Sequence, residues 1–149
     1  MLFLYHVIIL IITIFSPIII FYRVLKNKED KKRYIEKFSI SSKKRLKGKL
    51  IWFHGASVGE ILSIVPLIRN YEKNRSIAQI LITSSTLSSS NVLQKFKFKK
   101  TIHQFYPIDN FFLTNRFLKF WKPHVAVFID SEIWPVSYTH LTLPTSNGV

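Results

Sequence analysis

The 149-residue chain has no cysteine, so neither a disulfide framework nor a thiolate metal site can be built, and thiol redox chemistry is excluded. Glycine is scarce, with four in all. Their spacing makes neither the dinucleotide fingerprint G-x-G-x-x-G nor a Walker loop with its Lys-Ser/Thr pair. Acidic residues are few, eight against 22 basic, and no group of His, Asp and Glu has the spacing of a metal site. Internal repeats and sustained heptads are also missing. What is present is apolar content of 48%, enough for one domain of ordinary size plus an appendage.

A formal charge of +14 favours anionic partners: nucleic acid, acidic lipid or a phosphorylated substrate. Its distribution narrows the choice. Twelve basic residues lie between Arg23 and Lys49, against only Glu29, Asp30 and Glu36, and they directly follow an apolar run. From Met1 to Tyr22 no residue carries a fixed charge, and as a helix this run reaches about 33 Å, close to the thickness of a hydrocarbon core. A cleaved signal peptide would carry its cations before the apolar stretch and small residues after it; here the cations follow and Phe21-Tyr22 closes the run. The expectation is a membrane anchor over 1–22 and a basic juxtamembrane linker over 23–49. Cations hold their own flank in the cytoplasm, which places the remainder there, with Tyr5, Tyr22 and Arg23 near the interfaces. Pro17 interrupts helical hydrogen bonding, so a kinked or monotopic insertion stands beside a straight span.

Beyond the linker, short apolar runs alternate with helical periodicity. Leu50–Phe53 reads as a buried strand ended by His54-Gly55. Ile61, Ile64, Val65 and Ile68 then share one helical face, with a kink expected at Pro66. A strand over 77–83, a Ser/Thr loop, a helix over 91–96, a strand over 102–106, a helix over 110–121 begun by Asp109 and a strand over 125–129 follow. Continuous rather than alternating apolar strands imply a parallel sheet covered on both faces, an α/β fold of Rossmann-like type whose ligands gather at the carboxyl ends of the strands. His54, Thr83, Pro107 and Asp130 occupy such ends.

Three segments there can carry chemistry. In His54-Gly55-Ala56-Ser57-Val58-Gly59-Glu60 the chain turns from strand into helix, and its glycines let backbone amides approach a ligand at the helix's positive end. The same residues satisfy G-x-S-x-G, the spacing of a nucleophile elbow at Ser57, with His103, His124 and Asp130 as nominal partners; an elbow, however, belongs on a middle strand rather than the first. Ser57 and Glu60 also form S-x-x-E, a capping box, and for Glu60 the residues alone leave capping and catalysis level. The second segment, Thr83 to Ser90, offers hydroxyls for helix capping or for a substrate. The third, Asp130-Ser131-Glu132, places two acids one residue apart, able to hold a sugar hydroxyl or to cap a following helix. His6, His54, His103 and His124 read as packed or hydrogen-bonded side chains.

Taken in order, the apolar N-terminus, His54–Glu60, the Ser/Thr loop, Phe105-Tyr106-Pro107-Ile108-Asp109 and Asp130-Ser131-Glu132-Ile133-Trp134-Pro135 resemble the family that transfers 3-deoxy-D-manno-octulosonic acid (Kdo), over roughly residues 1–135. The resemblance implies the N-terminal, acceptor-side Rossmann-like domain of a two-domain GT-B glycosyltransferase, spanning 50–135 here and incomplete. It implies an anchor in the bacterial inner membrane with the catalytic domain on its cytoplasmic face, CMP-Kdo as donor, the lipid A precursor as acceptor, inversion, and neither metal nor other cofactor. Glu60 matches the family's general base and Glu132 a supporting acid; Ser57, Gly59, Ser85, Thr86 and Ser131 match positions facing substrate. Gly55, Asp130 and Ser88-Ser89 depart from the usual Ala, Glu and Thr-Gly. The juxtamembrane cations suit a phosphorylated acceptor in a leaflet of anionic membrane lipid. Without chemistry, the same features describe a membrane-tethered module that holds acidic lipid; nucleic acid is not an expected partner.

After Pro135 the likeness stops. Residues 136–149 resemble the conceptual translation of a transposase sequencing adapter, an expected read-through rather than part of the fold. On that expectation the chain lacks donor-side machinery and does not turn over alone.

Overall fold

The computed structural model describes residues 2–129, and within its first helix the side chains of Leu2, Phe3, Tyr5, His6, Ile9 and Thr13 lie outside the described set. The expected tail over 136–149 and the loop containing Asp130, Ser131 and Glu132 also fall outside it.

Four parallel strands, β1 (Lys49–His54), β2 (Ile77–Ser84), β3 (Thr101–Phe105) and β4 (Val125–Phe128), form one sheet in the order β3-β2-β1-β4. This is the parallel α/β arrangement that the apolar runs imply. The chain steps outward from β1 to β3, then returns to lay β4 on the other side of β1. Right-handed crossovers in opposite directions put their helices on opposite faces. On one face α2 (Val58–Ser63) and α3 (Val65–Lys73) bury Ile61, Ile64 and Ile68 against Ile51, Phe53, Ile80 and Ile82, and α4 (Leu87–Gln94) adds Leu93. On the other, α5 (Phe111–Trp121) buries Phe117 and Trp121 against Leu50, Trp52, Leu81 and Tyr106. Alternate residues of β1 thus serve two cores, which is why its sequence shows no polar alternation.

Local chemistry corrects three expected boundaries. The helix expected to kink at Pro66 is two helices: α2 ends at Ser63, and α3 takes Pro66 into its first turn, where a missing N–H costs nothing. α4 begins at Leu87 because Thr86 caps it, its hydroxyl accepting from Ser89 N; the serines that read as loop are helical. α5 starts at Phe111 because Asn110, not Asp109, caps it by accepting from Phe112 N.

The segment 23–49 is bound to the sheet through buried polar side chains. A 3₁₀ turn, Tyr34–Phe38, sets Glu36 fully inside, where Arg33 meets it through two nitrogens at 3.0 and 2.9 Å. The same guanidinium donates to His103 O at 2.7 Å, and Phe105 N donates to Glu36 at 2.8 Å. Further along, buried Gln79 binds Lys44 O and Leu46 N. Gln104 accepts from Ser41 and from Trp121 Nε1. The segment is a strap across β3, sealed by partners that its own sequence does not reveal.

α1 (Leu2–Leu25) contains Pro17 and exposes Ile11, Ile14, Phe15, Ile18, Phe21 and other apolar side chains. Among the described residues no helix is long and apolar enough to cross a membrane, so the spanning anchor expected over 1–22 is not supported by them. Six of the helix's side chains are outside that count, while Ser16, Pro17 and Arg23 lie inside it.

Where strap meets sheet, Gly48 has φ of +112°, and a Cβ on it would stand 2.7 Å from Ala78 Cβ. Gly48→Ala combines left-handed strain with a clash against a neighbouring strand. It is expected to lower the unfolding free energy by about 1–3 kcal/mol in a urea titration.

Candidate active site

Between β1 and β4 the order of strands reverses, and in open α/β sheets the crevice outside the carboxyl ends at such a point is where ligands bind. One of the three segments singled out in the sequence borders it, and the described chain ends beside it. The turn from Gly55 to Ser57 leaves β1. On the other side Ile129, the last described residue, donates to His54 O at 2.9 Å, so the chain leaves the sheet beside the same turn. The second, with Ser85 and Thr86, follows β2, in register with β1 through the pair His54 and Thr83 and tied by Gly55 N to Thr83 O at 3.1 Å.

Ser57 caps α2, its Oγ accepting from Glu60 N at 3.3 Å. The Glu60 carboxylate reaches back: Oε2 accepts from Ala56 N at 2.7 Å, and Oε1 accepts from the Ser57 hydroxyl at 2.8 Å. The capping box is therefore real, yet the carboxylate remains partly exposed. Burial alone would raise its pKa, but the Ser57 hydroxyl, the Ala56 and Ser57 amides and the nearby His54 more than offset this and lower it. Glu60 is therefore ionised at neutral pH and able to take a proton.

Glycine has two uses here. A Cβ on Gly55 would come within 3.0 Å of Ile61 Cδ1 and 3.3 Å of Glu60 Cβ, so the bare backbone leaves room beside the carboxylate; nothing lies within 4 Å of a Cβ on Gly59, which faces open space. Of the residues expected to face substrate, Ser57, Gly59, Ser85 and Thr86 gather with Glu60 on these two adjacent loops. Thr86 is partly committed, bonding Ser89 Oγ at 2.8 Å as well as capping α4. Ser131 and Glu132 lie outside the described residues, and among the described ones no cluster of three metal-ligating side chains occurs.

Beneath the turn sits a triad that sequence reasoning missed. Trp52 Nε1 donates to Thr83 Oγ1 at 2.8 Å, and His54 Nδ1 shares that oxygen at 2.9 Å. The His54 ring lies 4.2 Å from that of Tyr106, and its Nε2 is buried without a partner. The alternation Trp52, His54 along one face of β1 was the available signal. Among the described residues no imidazole is hydrogen-bonded to Ser57: His54 bonds Thr83, His103 bonds Ser84 at 2.8 Å, and His124 Nδ1 accepts from Leu50 N at 3.2 Å. These three histidines are packed or hydrogen-bonded, as read from the sequence; the His6 side chain lies outside the described residues, and among the described ones the elbow reading has no base.

Burial pushes the His54 imidazole down to about 4, against Thr83 and Glu60, which act to raise it. Below the ordinary value near 6.5 the unfolded chain takes up a proton that the folded chain refuses, so stability falls as pH drops from about 6.5 to 4, by about 3 kcal/mol. His103, lowered to about 3 by burial and then by Arg33 and Lys43, adds to the fall. Urea midpoints measured from pH 7 to 4 by tryptophan fluorescence check this; a slope as steep in His54→Gln as in the parent would assign the loss elsewhere.

A parallel α/β sheet with an ionised carboxylate and hydroxyl-bearing loops at its switch point is a Rossmann-like domain with a candidate site at the carboxyl ends of its strands. The particular family follows from comparison: the sequence model described as 3-deoxy-D-manno-octulosonic-acid transferase (kdotransferase) matches residues 32–142, and the chain belongs to that family. It is 42% identical over 118 residues to the 3-deoxy-D-manno-octulosonic acid transferase of Rickettsia bellii, covering 79% of this chain and 28% of that protein. With the transferase of the same name from Aquifex aeolicus it shares 31% identity over 104 residues, covering 70% of this chain and 28% of the relative. The Rickettsia felis transferase is 46% identical over 86 residues, 58% of this chain and 18% of that protein. The chain thus spans between 18% and 28% of the length of these relatives.

Proposed function

We propose that this chain is the acceptor-side half of a GT-B enzyme that moves Kdo from CMP-Kdo to the lipid A precursor in lipopolysaccharide core assembly. Glu60 takes the proton from the acceptor's primary hydroxyl as that oxygen bonds to the anomeric carbon of Kdo. The bond from that carbon to the CMP phosphate oxygen breaks in the same step, and CMP leaves with the electron pair. Attack opposite the leaving group inverts the anomeric centre, and the step calls for no metal. Ser57, Gly59, Ser85, Thr86 and Ser131 line the acceptor, and Glu132 plays a supporting part.

The observation that carries this reading is the Glu60 carboxylate: ionised, partly exposed, and held at the carboxyl end of β1, where the strand order of the described sheet reverses. Its lowered pKa favours the proton-accepting form while reducing its strength as a base, a balance that shifts when an incoming hydroxyl displaces Ser57. The proposed setting is the cytoplasmic face of a bacterial inner membrane. There the exposed apolar side chains of α1 enter the bilayer and the cations that follow meet anionic lipid. The test is transfer of Kdo from CMP-Kdo to the lipid A precursor by the full-length enzyme, followed by mass spectrometry. A protein that binds the precursor but forms no product would instead be the tethered lipid-binding module.

A further inference from the structure

The connection from α4 to β3 reads Lys95-Phe96-Lys97-Phe98-Lys99-Lys100. Alternation sends the two phenylalanines one way, where their rings stack 5.7 Å apart at 18°. The Arg69 guanidinium lies over Phe96 at 5.7 Å, and Phe98 packs on the core. Lys95, Lys97 and Lys99 are left exposed. Glu72 also lines this groove, but its carboxylate accepts from the amides of Lys99 and Lys100, at 2.9 and 2.8 Å, and from the Thr101 hydroxyl at 2.6 Å. It holds the loop in shape, and as the one acid against Arg69, Lys73, Lys95, Lys97 and Lys99 in the groove it leaves the lining strongly positive. The groove, of about 570 Å³, takes in Arg69 and Lys73 as well. A neighbouring cavity of about 190 Å³ shares Phe96 and Phe98 and reaches Arg33 and Lys43, both on the strap that descends from α1.

We propose that this lysine–phenylalanine face docks on the anionic surface of a phospholipid bilayer, a second membrane contact beside α1. It rests on the reading of α1 as membrane-embedded. Two observations favour a membrane over a nucleic acid. The rings of Phe96 and Phe98 are half-buried and already engaged, stacked on each other with Arg69 over Phe96 and Phe98 packed on the core, which leaves little open face for a base to stack on. The cavity system is also continuous with the strap, which brings the exposed apolar helix to the same edge of the sheet.

The two contacts fall at opposite ends of β3. The strap meets its carboxyl end, where Ile108 N donates to Lys37 O at 3.0 Å, and the lysine loop leads into its amino end. Five residues of strand separate them, about 17 Å. The sheet then lies edge-on to the membrane with its strand axes in the bilayer plane, and the Glu60 turn opens sideways at the interface.

Flotation of the full chain with vesicles tests this, using phosphatidylcholine alone and phosphatidylcholine mixed with phosphatidylglycerol. In Lys95→Gln/Lys97→Gln/Lys99→Gln the preference for the mixed vesicles is expected to fall about ten- to a hundredfold. Binding to neutral vesicles and the circular dichroism spectrum should match the parent, and the corresponding triple arginine variant should keep the preference. An unchanged preference overturns the proposal. So does an equal loss on both vesicle types, or an unchanged preference coupled with lost affinity for polyuridylate, which would point to RNA. If the parent ignores neutral vesicles yet shows the lysine-dependent preference, the reading of α1 falls and the docking face stands.

Discussion

Glu60→Gln in the full-length enzyme is expected to lower kcat for Kdo transfer by about 10²–10⁴-fold, the range over which a positioned general base contributes. Glutamine keeps the length of the side chain and still offers Oε1 to the Ala56 amide, so the bond that closes the turn survives. What disappears is the capacity to take a proton. The cost in stability is the weakened cap alone, about 1 kcal/mol, visible as a small shift in urea midpoint with membrane flotation intact. A structural role alone would reverse this pattern, with folding lost and activity per folded molecule retained. Ser57→Ala separates the two functions from the other side. It removes both the cap on α2 and the hydroxyl that helps keep Glu60 ionised, and so should move the acidic limb of the kcat profile upward in pH. Full activity in Glu60→Gln would dispose of the proposed chemistry.

The largest expected effect on stability lies away from that turn. Arg33→Met leaves the Glu36 carboxylate enclosed with no cation, and breaking a buried pair from one side costs about 3–5 kcal/mol. Urea unfolding followed by Trp52 and Trp121, both fully buried, reads this directly. Arg33→Met/Glu36→Leu removes both charges and is expected to recover much of the loss, because an apolar pair of similar volume needs no compensation. The recovery is incomplete: Phe105 N and Ser42 Oγ both donate to Glu36 and are left unpaired. If the single variant unfolds like the parent, the pair is too hydrated to matter and the strap is a loose tether.

The strands and α5 were legible because apolar runs ended by Gly, Pro or Asn are local signals. The Glu60 turn was legible because strand, glycine, cap and acid follow one another within seven residues. Three things were not. Serines at 88–90 favour loops by propensity, and only the Thr86 cap makes them helical. The strap looked like a charged linker because its side chains and carbonyls find partners up to 76 positions away: Arg33 with His103, Lys44 with Gln79, Ser41 with Gln104, Arg45 with Trp121. The crevice itself depends on β4 returning to the far side of β1, an order set by packing on two faces and absent from any single stretch of sequence.

β3 is the outermost strand of the described sheet on its side, and such a rim is an invitation to self-templating aggregation. In this parallel pairing its even-numbered residues face β2, as Lys100 O and Tyr106 N do, while the odd ones point outward. Arg33 occupies the outward carbonyl of His103 and Glu36 the outward amide of Phe105. Both are side chains, which plug a pairing site without extending the ladder. The ion pair that fastens the strap thus also works as a stopper, keeping a chain rich in isoleucine and phenylalanine from polymerising through its rim.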